Sequence, residues 1–305
     1  MSLLVVGSVA FDSIETPDGS ADRVLGGSAS YFSYVASFFT KPRLVGVVGE
    51  DFPAQNRQLL EARGVDMAGL TTQPGKTFYW KGRYHQDMNT RDTLEVQLNV
   101  FGTFDPVLPE SFRDSKHIFL ANAAPSVQSK VLDQVKAPSL VVADTMDLWI
   151  EIAKPDLLAL LPRLHGLSIN DSEAKLLTGE SNLVRAGHAV RKMGPKFVLL
   201  KKGEHGAMLF SEEGTFVVPA FPSPDVLDPT GAGDSFAGGV MGYLSTRPEI
   251  LPGHADWGPQ LRRAMAYGTV IASMTVEGFG LDRLARTNRQ EIDARLEAYR
   301  HMLSL

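Results

Sequence analysis

The sequence contains no cysteine among its 305 residues. Disulfide bridges, thiolate metal sites and a cysteine nucleophile are therefore excluded. The absence of cysteine is typical of proteins that work in a reducing compartment, which favours a cytoplasmic location. The 7 histidines show no metal-ligand spacing such as His-Glu-x-x-His, so we expect them to be surface or packing residues.

Long apolar runs and an excess of basic charge are also missing. No stretch approaches the roughly 18 to 20 consecutive apolar residues that a membrane-spanning helix needs. The first apolar run, Leu3–Val6, is too short for a secretory signal. With 30 basic and 35 acidic residues the net charge is −5, which leaves no basic field to hold a nucleic acid. We therefore expect neither a membrane nor a nucleic acid as a partner.

Two nucleotide-binding patterns are absent as well. No Gly-x-x-x-x-Gly-Lys-Ser/Thr occurs, which excludes a P-loop NTPase. Gly231-Ala232-Gly233 begins like a dinucleotide fingerprint, but Phe236 stands where that fingerprint needs Gly or Ala. The segment also lies late in the chain rather than after the first strand, so a dinucleotide-dependent oxidoreductase is excluded.

The chain does contain an alternation of short apolar runs and helical patterns. The runs are near-continuous and rich in β-branched residues, as in strands buried on both faces of a parallel sheet. They are Leu3–Val6, Leu44–Val48, His117–Leu120, Leu140–Ala143, Leu167–Ile169 and Phe197–Leu200. Because helical patterns separate them, the sequence predicts a doubly wound α/β fold, a mostly parallel sheet flanked by helices. Residues 1–305 show no linker and are long enough for one such domain.

One segment breaks this alternation. Lys76–His85 and Thr93–Phe101 have the pattern of two extended arms, joined by a polar turn at Gln86–Arg91. Aromatic residues crowd the first arm, and an isolated two-stranded hairpin is stable only if something covers it. We therefore expect a small β-hairpin, inserted at about residues 69–103, that acts as a lid over a ligand or pairs with its twin in a homodimer.

The strongest chemical signal is Asp228–Gly239, which reads Asp-Pro-Thr-Gly-Ala-Gly-Asp-Ser-Phe-Ala-Gly-Gly. Its small residues predict a tight turn that opens a helix. The amides of Gly231, Ala232 and Gly233 would then point outward at the helix N-terminus, where they can bind a phosphate or oxyanion. Asp234 would lie beside them in the first helical turn, where its carboxylate either accepts a proton from an attacking hydroxyl or only stabilises the helix.

Four segments, in family order, resemble the motifs of the PfkB, or ribokinase-like, carbohydrate kinases. Asp228–Phe236 resembles the second family signature, and Gly26–Gly27 followed by Gly46–Asp51 resembles the first. Asn170–Glu173 is similar to the Asn-x-x-Glu motif, and Lys201–Gly206 is similar to the strand-to-turn segment near the nucleotide. The resemblance implies a ribokinase-like fold, ATP and Mg²⁺ as cofactors, and phosphoryl transfer to an alcohol.

On the nucleotide side, the resemblance implies that Asp234 is the catalytic base and that the Gly231–Gly233 amides form the anion hole. Asn170 and Glu173 would hold Mg²⁺, largely through water. The same Asn-x-x-Glu spacing also predicts a helix capping box. Further ATP contacts are implied for three residues of the strand-to-turn segment, Lys201, Gly203 and Gly206.

On the acceptor side, the resemblance implies that Asp12, in the loop leaving the first strand, holds the hydroxyls of a sugar. Without the resemblance, Asp12 is equally well an ordinary turn residue. Gly26 and Gly27 would bring main chain close to the sugar, while Ser28 would add a hydroxyl or cap the helix. The turn residues Asp228 and Thr230 match positions that bind a potassium-type ion in some relatives.

The implied function is transfer of the γ-phosphoryl group of ATP to a primary hydroxyl of a sugar, with a nucleoside as the alternative acceptor. Tyr31 leaves the acceptor open, because many relatives carry Asn there and tyrosine cannot supply an amide to a furanose ring. A non-catalytic homologue that only binds a sugar or nucleoside is disfavoured, because Asp234, Asn170 and Glu173 are all present.

Overall fold

The computed structural model describes residues 2–304, and thirteen strands lie within that part of the chain. In chain order they are β1 Leu3–Val6, β2 Ala10–Thr16, β3 Gly19–Gly26, β4 Pro42–Gly49, β5 Asp66–Gln73, β6 Phe78–Tyr84, β7 Arg91–Gln97, β8 His117–Leu120, β9 Leu140–Asp144, β10 Gly166–Asn170, β11 Phe197–Lys201, β12 Ala207–Ser211 and β13 Gly214–Val218. Nine of these strands form one sheet, and the other four form a second, smaller sheet.

The nine-stranded sheet has the order β13-β12-β11-β10-β9-β8-β1-β4-β5. Its strands from β11 to β5 are parallel, and β12 and β13 extend it as an antiparallel edge. The strand order reverses at β1, which lies between β4 and β8. In open α/β sheets, ligands bind outside the carboxyl ends of the strands at such a reversal. A functional site is therefore expected beyond the carboxyl ends of the strands next to β1.

Helices cover both faces of the large sheet. Those within residues 2–304 are α1 Ser28–Ala36, α2 Ala54–Glu61, α3 Pro125–Leu132, α4 Asp147–Ile152, α5 Lys154–Leu160, α6 Asp171–Thr178, α7 Leu183–Lys192, α8 Ala232–Ser245, α9 Trp257–Thr275, α10 Asp282–Ala285 and α11 Arg289–Leu303. None of these helices combines the length and the apolar character that crossing a membrane requires.

The core is divided between the two faces of the sheet, because successive strand residues point to opposite sides. In β1, Leu3 and Val5 belong to the core that includes side chains of α1, α8 and α9. Leu4 and Val6 belong to the core that includes side chains of α5, α6 and α7. This arrangement confirms the predicted α/β fold, a doubly wound and mostly parallel sheet flanked by helices.

The smaller sheet has the order β3-β2-β6-β7, and we call it the lid sheet. The sequence predicted only its second half, as a hairpin at about residues 69–103. Residues 69–73 instead belong to β5 of the large sheet, and strands β2 and β3 were missed. Apart from its last two residues, β3 is largely exposed, so it lacks the apolar pattern from which strands are predicted.

The missed strand β2 changes the placement of Asp12. This residue lies within β2, paired with Val24 of β3 and Trp80 of β6, rather than in a loop. Three residues separate β1 from β2, so the chain passes directly from the large sheet into the lid sheet. Asp12 is therefore held on a paired strand next to the strand-order reversal.

Candidate active site

The N-terminus of α8 forms the centre of the candidate site. Gly231 caps this helix with a φ of 76°, a left-handed conformation that glycine adopts without strain. A side chain would also collide with Tyr31, because an added Cβ would lie 2.5 Å from the tyrosine ring. The Ala232 amide donates to the Pro229 carbonyl at 3.2 Å. The amides on either side of it, at positions 231 and 233, belong to the helix end that favours an anion.

Asp234 lies in the first turn of α8 and keeps an intermediate exposure. Burial and the nearby Asp144 carboxylate raise the pKa of Asp234 to about 7, against the opposing charges of Lys201 and Arg91. A general base works best when its pKa lies near the working pH. The Asp234 carboxylate can therefore accept a proton from a hydroxyl at neutral pH.

Lys201 and Asp144 form a buried ion pair near Asp234. The Lys201 Nζ lies 2.8 Å from Oδ2 and 3.1 Å from Oδ1 of Asp144, and the two side chains are 18% and 6% exposed. Burial lowers the pKa of Lys201, but the carboxylates of Asp144 and Glu173 outweigh this effect and the pKa is raised. Lys201 therefore stays a cation at the carboxyl end of β11.

Asn170 and Glu173 form the capping box that their spacing predicts. The Asn170 Oδ1 accepts from the Glu173 amide at 2.8 Å, and the Glu173 Oε2 accepts from the Asn170 amide at 2.8 Å. Asn170 ends β10 and Glu173 lies in the first turn of α6. Burial raises the pKa of Glu173, and the cation of Lys201 opposes that shift. The box holds both side chains at the same edge of the sheet as Lys201.

The donor set fits a magnesium ion held largely through water and ATP phosphates. Within residues 2–304, no three His, Cys, Asp or Glu side chains cluster as a preformed metal site. Mg²⁺ keeps several waters and needs only one or two carboxylates when phosphates share it. Glu173 has one carboxylate oxygen outside the capping box. Its contact with the ion stays a prediction.

The strand-to-turn segment is joined to the lid sheet. Gly203 and Gly206 lie in the short turn between β11 and β12. In the β6–β7 turn, Asn89 donates through Nδ2 to the Glu204 Oε1 at 2.9 Å. The lid sheet therefore reaches the turn for which nucleotide contacts are predicted.

On the acceptor side, the Asp12 carboxylate lies against Gly26. An added Cβ on Gly26 would come within 2.0 Å of the Asp12 Oδ2, so a larger residue there would displace the carboxylate. Burial and Asp228 raise the pKa of Asp12 to about 7, while the Gly27 amide lowers it. Asp234 raises the same pKa. Asp12 and Asp234 therefore lie within electrostatic range of one another.

Gly27 and Ser28 begin α1. Gly27 is the cap, with a φ of 90°, and an added Cβ would lie 2.6 Å from the Ser8 carbonyl oxygen. The alternative that Ser28 caps the helix is therefore wrong. The Ser28 hydroxyl lies 3.0 Å from the Ser8 hydroxyl, so it already has a hydrogen-bond partner.

Asp228 and Thr230 hold the turn before α8. The Asp228 carboxylate accepts from the Thr230 amide at 2.8 Å and from the Gly280 amide at 3.2 Å. The Thr230 hydroxyl donates to the Tyr84 hydroxyl of the lid sheet at 3.2 Å. These hydrogen bonds stabilise the turn without an ion. Binding of a potassium-type ion at Asp228 and Thr230 stays a prediction.

The structure brings both halves of the predicted site to one edge of the sheet, and it adds residues that the sequence reasoning missed. The missed residues are Asp144, Tyr84, Asn89 and Arg91. Asp144 carried a usable signal, because an acidic residue at the end of a buried strand lies at the carboxyl edge of a parallel sheet. The other three lie on the lid sheet or its turn, whose pairing was only partly predicted.

The sequence matches known proteins over most of its length. Residues 2–288 match the pfkB family carbohydrate kinase pattern. A cytidine kinase from Thermococcus kodakarensis is 31% identical over 279 residues, which cover 84% of this chain and 98% of that protein.

Solved structures share the fold. An E. coli protein provisionally identified as ribokinase II, in complex with ATP and Mg²⁺, superposes with a TM-score of 0.78 at 20% identity, over 97% of this chain and 99% of that one. A Burkholderia thailandensis nucleoside kinase in complex with inosine gives 0.75 at 20% identity, over 97% and 96%.

The fold is therefore the ribokinase-like one, and the class of protein is a kinase with an alcohol acceptor. The chain belongs to the pfkB family of carbohydrate kinases, as the resemblance of its motifs predicted.

Proposed function

We propose that the protein transfers the γ-phosphoryl group of ATP to a primary hydroxyl of a nucleoside, with Asp234 as the base. The observation that carries this proposal is the placement of Asp234 in the first turn of α8. There the carboxylate adjoins the amides of Gly231 and Gly233, whereas the predicted contribution of the Ala232 amide is taken up by the Pro229 carbonyl, and the pKa of Asp234 is raised to about 7. One short segment thus supplies both an anion site and a proton acceptor.

In the proposed reaction, the acceptor hydroxyl oxygen attacks the γ-phosphorus of ATP. A new P–O bond forms, the bond from the γ-phosphorus to the β–γ bridging oxygen breaks, and ADP leaves with the bonding electrons. The acceptor proton passes to Asp234. Catalysis in phosphoryl transfer is mostly positioning and charge neutralisation. Mg²⁺, when bound near Glu173 and Asn170, supplies further neutralisation of the phosphates.

Asp12 suits the task of holding the acceptor. A carboxylate accepts two hydrogen bonds, and a ribose or another pentose presents vicinal hydroxyls. Asp12 lies on the lid sheet, within electrostatic range of Asp234. A pentose held by Asp12 would therefore have its primary hydroxyl close to the base.

A nucleoside is favoured over a free sugar as the acceptor. The support is the likeness to the cytidine kinase, which extends over nearly the whole of that protein. In addition, strand β6 begins with the aromatic residues Phe78, Tyr79 and Trp80, which are only partly buried. Aromatic side chains can stack on a base. The free sugar is the second candidate, favoured by the carbohydrate kinase pattern that the chain matches.

An acceptor panel tests the proposal. Turnover of Mg·ATP would be measured with cytidine, other nucleosides, ribose and fructose at equal concentration, by coupled detection of ADP. We expect kcat/KM for at least one nucleoside to exceed that for either free sugar by more than about tenfold. Higher kcat/KM for a free sugar would favour the second candidate, and no turnover with any acceptor would contradict the kinase proposal.

A further inference from the structure

Asp144 and Lys201 meet across the strand that separates them. Strands β9 and β11 flank β10 in the large sheet, and each of these residues ends its strand. Both carboxylate oxygens of Asp144 lie within 3.1 Å of the Lys201 Nζ. Asp144 is itself fixed, because its Oδ1 accepts from the Thr145 amide at 2.9 Å and its carbonyl accepts from Gln128 at 3.0 Å. The carboxylate is therefore a rigid support for the ammonium group.

The Lys201 ammonium also lies beside the first turn of α8. A Cβ added to Gly233 would lie 3.3 Å from the Lys201 Nζ. A lysine cation beside a helix N-terminus is unfavourable, since the helix dipole places positive charge there too. Asp144 offsets part of this repulsion. An anion bound at the turn would offset the rest, because it would face the cation and the helix amides together.

A buried ion pair is not needed merely to hold β9 and β11 together. Burying two charges requires their removal from water, and a well-packed apolar pair of similar size stabilises a core as well or better. An ammonium group has three N–H donors. Two can be directed to the Asp144 oxygens, which leaves one for a third partner on the side of α8.

We propose that Asp144 is a positioning residue that holds the Lys201 ammonium against the N-terminus of α8, where it neutralises the phosphoryl group in transit. This inference rests on the proposed phosphoryl transfer. It assigns Lys201 to the transferred group rather than to the rest of the nucleotide. It also gives Asp144 a role that acts through Lys201.

The charged groups around Lys201 are the carboxylates of Asp144, Glu173 and Asp234. The charge of Asp147 also raises the pKa of Glu173, and the charge of Arg91 on the lid sheet lowers the pKa of Asp234. Only Asp144 forms an ion pair with Lys201 among the ion pairs of residues 2–304. The positioning contact is therefore specific to that carboxylate.

A double-mutant cycle tests the proposal, with Lys201→Met, Asp144→Asn and the double variant. Two readouts are measured on each protein: kcat with the preferred acceptor, and the Kd for Mg·AMP-PNP by calorimetry without any acceptor. We expect Lys201→Met to lower kcat about 100-fold, the effect of removing one preorganised charge donor. Asp144→Asn should lower kcat less, and the double variant should lie within about threefold of Lys201→Met, because Asp144 acts through the lysine.

Matched controls separate this role from general effects of charge. Lys196→Met removes an exposed lysine just before β11, at the opposite end of that strand, and Asp133→Asn breaks a surface ion pair with Arg163. Neither control should change kcat or Kd by more than about twofold. If Asp144→Asn fails to fold, Asp144→Glu keeps the charge while moving it by one methylene group, and it should still lower kcat.

Three results would overturn the positioning role. They are full activity of Lys201→Met, full activity of Asp144→Glu, or an undiminished effect of Asp144→Asn in the Lys201→Met background. The Kd cycle needs no acceptor, so it tests the coupling of the pair independently. Absence of turnover in the wild-type protein would contradict the kinase proposal alone, while additive Kd values would contradict the positioning role alone.

Discussion

The Tyr31 hydroxyl is buried without a hydrogen-bond partner among residues 2–304. The side chain is 1% exposed, and its ring lies against Gly231. Burial, with the carboxylates of Asp12, Asp228 and Asp234 nearby, raises the pKa of Tyr31 well above its ordinary value. A hydroxyl that lacks a partner inside a protein needs an explanation. Its location among the acceptor-side carboxylates suggests that the acceptor supplies the partner.

We expect Tyr31→Phe to raise the free energy of unfolding of the unliganded protein by about 1 kcal/mol, because an unpaired buried hydroxyl is removed. We expect the same change to raise the KM of the acceptor about tenfold, which corresponds to the loss of roughly 1.4 kcal/mol of binding free energy. Thermal unfolding and steady-state kinetics measure the two effects. Tyr34→Phe, on the same helix α1, is the control. Unchanged stability together with an unchanged KM would contradict this account of Tyr31.

The features of the site that depend on neighbouring residues in the sequence were predicted, and those that depend on long-range contacts were not. The turn and helix around Asp234 follow from adjacent small residues, and the capping box of Asn170 and Glu173 follows from their spacing. The Lys201–Asp144 pair joins positions 57 residues apart in sequence, so no local pattern announces it. The unpaired state of the Tyr31 hydroxyl depends on several elements at once and needs the structure.

At the scale of elements, the lid sheet connects the acceptor side of the site to the nucleotide side. Tyr84 at the end of β6 contacts Thr230 before α8, and Asn89 in the next turn contacts Glu204. Each is a single hydrogen bond, the second between exposed side chains, so neither alone holds this end of the sheet firmly. Closure of the lid over the substrate stays a prediction. So does a homodimer through the lid, for which the exposed outer strand β7 with Leu94 and Val96 is the candidate edge.

We predict that hydrogen exchange in β6 and β7 slows when acceptor and Mg·AMP-PNP are added together at saturation. Bound ligands would add contacts between the lid sheet and the large sheet, which would shift the population toward a closed state. Exchange followed by mass spectrometry measures this effect, and α7, on the far face of the large sheet, serves as the internal control. Equal exchange in β6 and β7 with and without ligands would contradict a lid.

The strands of the two sheets differ in how well the sequence predicts them. The parallel strands β1, β8 and β9 are buried on both faces, so their apolar runs are near-continuous and were predicted close to the observed bounds. The parallel edge strand β5 is about half exposed and was not predicted as a strand of this sheet. Strand β3 of the lid sheet is largely exposed, and its polar residues resemble those of a loop, so it was missed. Burial on both faces therefore helps to predict the central strands of the large sheet, but it does not explain every outcome, since β2 is largely buried and was missed whereas the exposed β7 was predicted in part.

At the scale of the whole molecule, the site depends on two contributions that are distant in sequence. The parallel strands bring Asp144, Asn170 and Lys201 to one edge of the large sheet, and α8 adds Asp234 beside them. The lid sheet adds Asp12 from near the start of the chain. In the proposed reaction, an anion site and an acceptor site would thus adjoin a single carboxylate, the arrangement that direct phosphoryl transfer requires.

The most direct test of this account is a single-turnover, rapid-quench measurement of phosphoryl transfer from Mg·ATP to the preferred acceptor, with wild-type protein and Asp234→Asn. The account predicts equal amounts of ADP and phosphorylated acceptor in the wild type. It predicts a rate about 10³-fold lower in the variant, since a positioned base contributes about 10²- to 10⁴-fold. The Kd for Mg·AMP-PNP should change by less than about threefold. A variant that transfers the phosphoryl group at the wild-type rate would contradict the account.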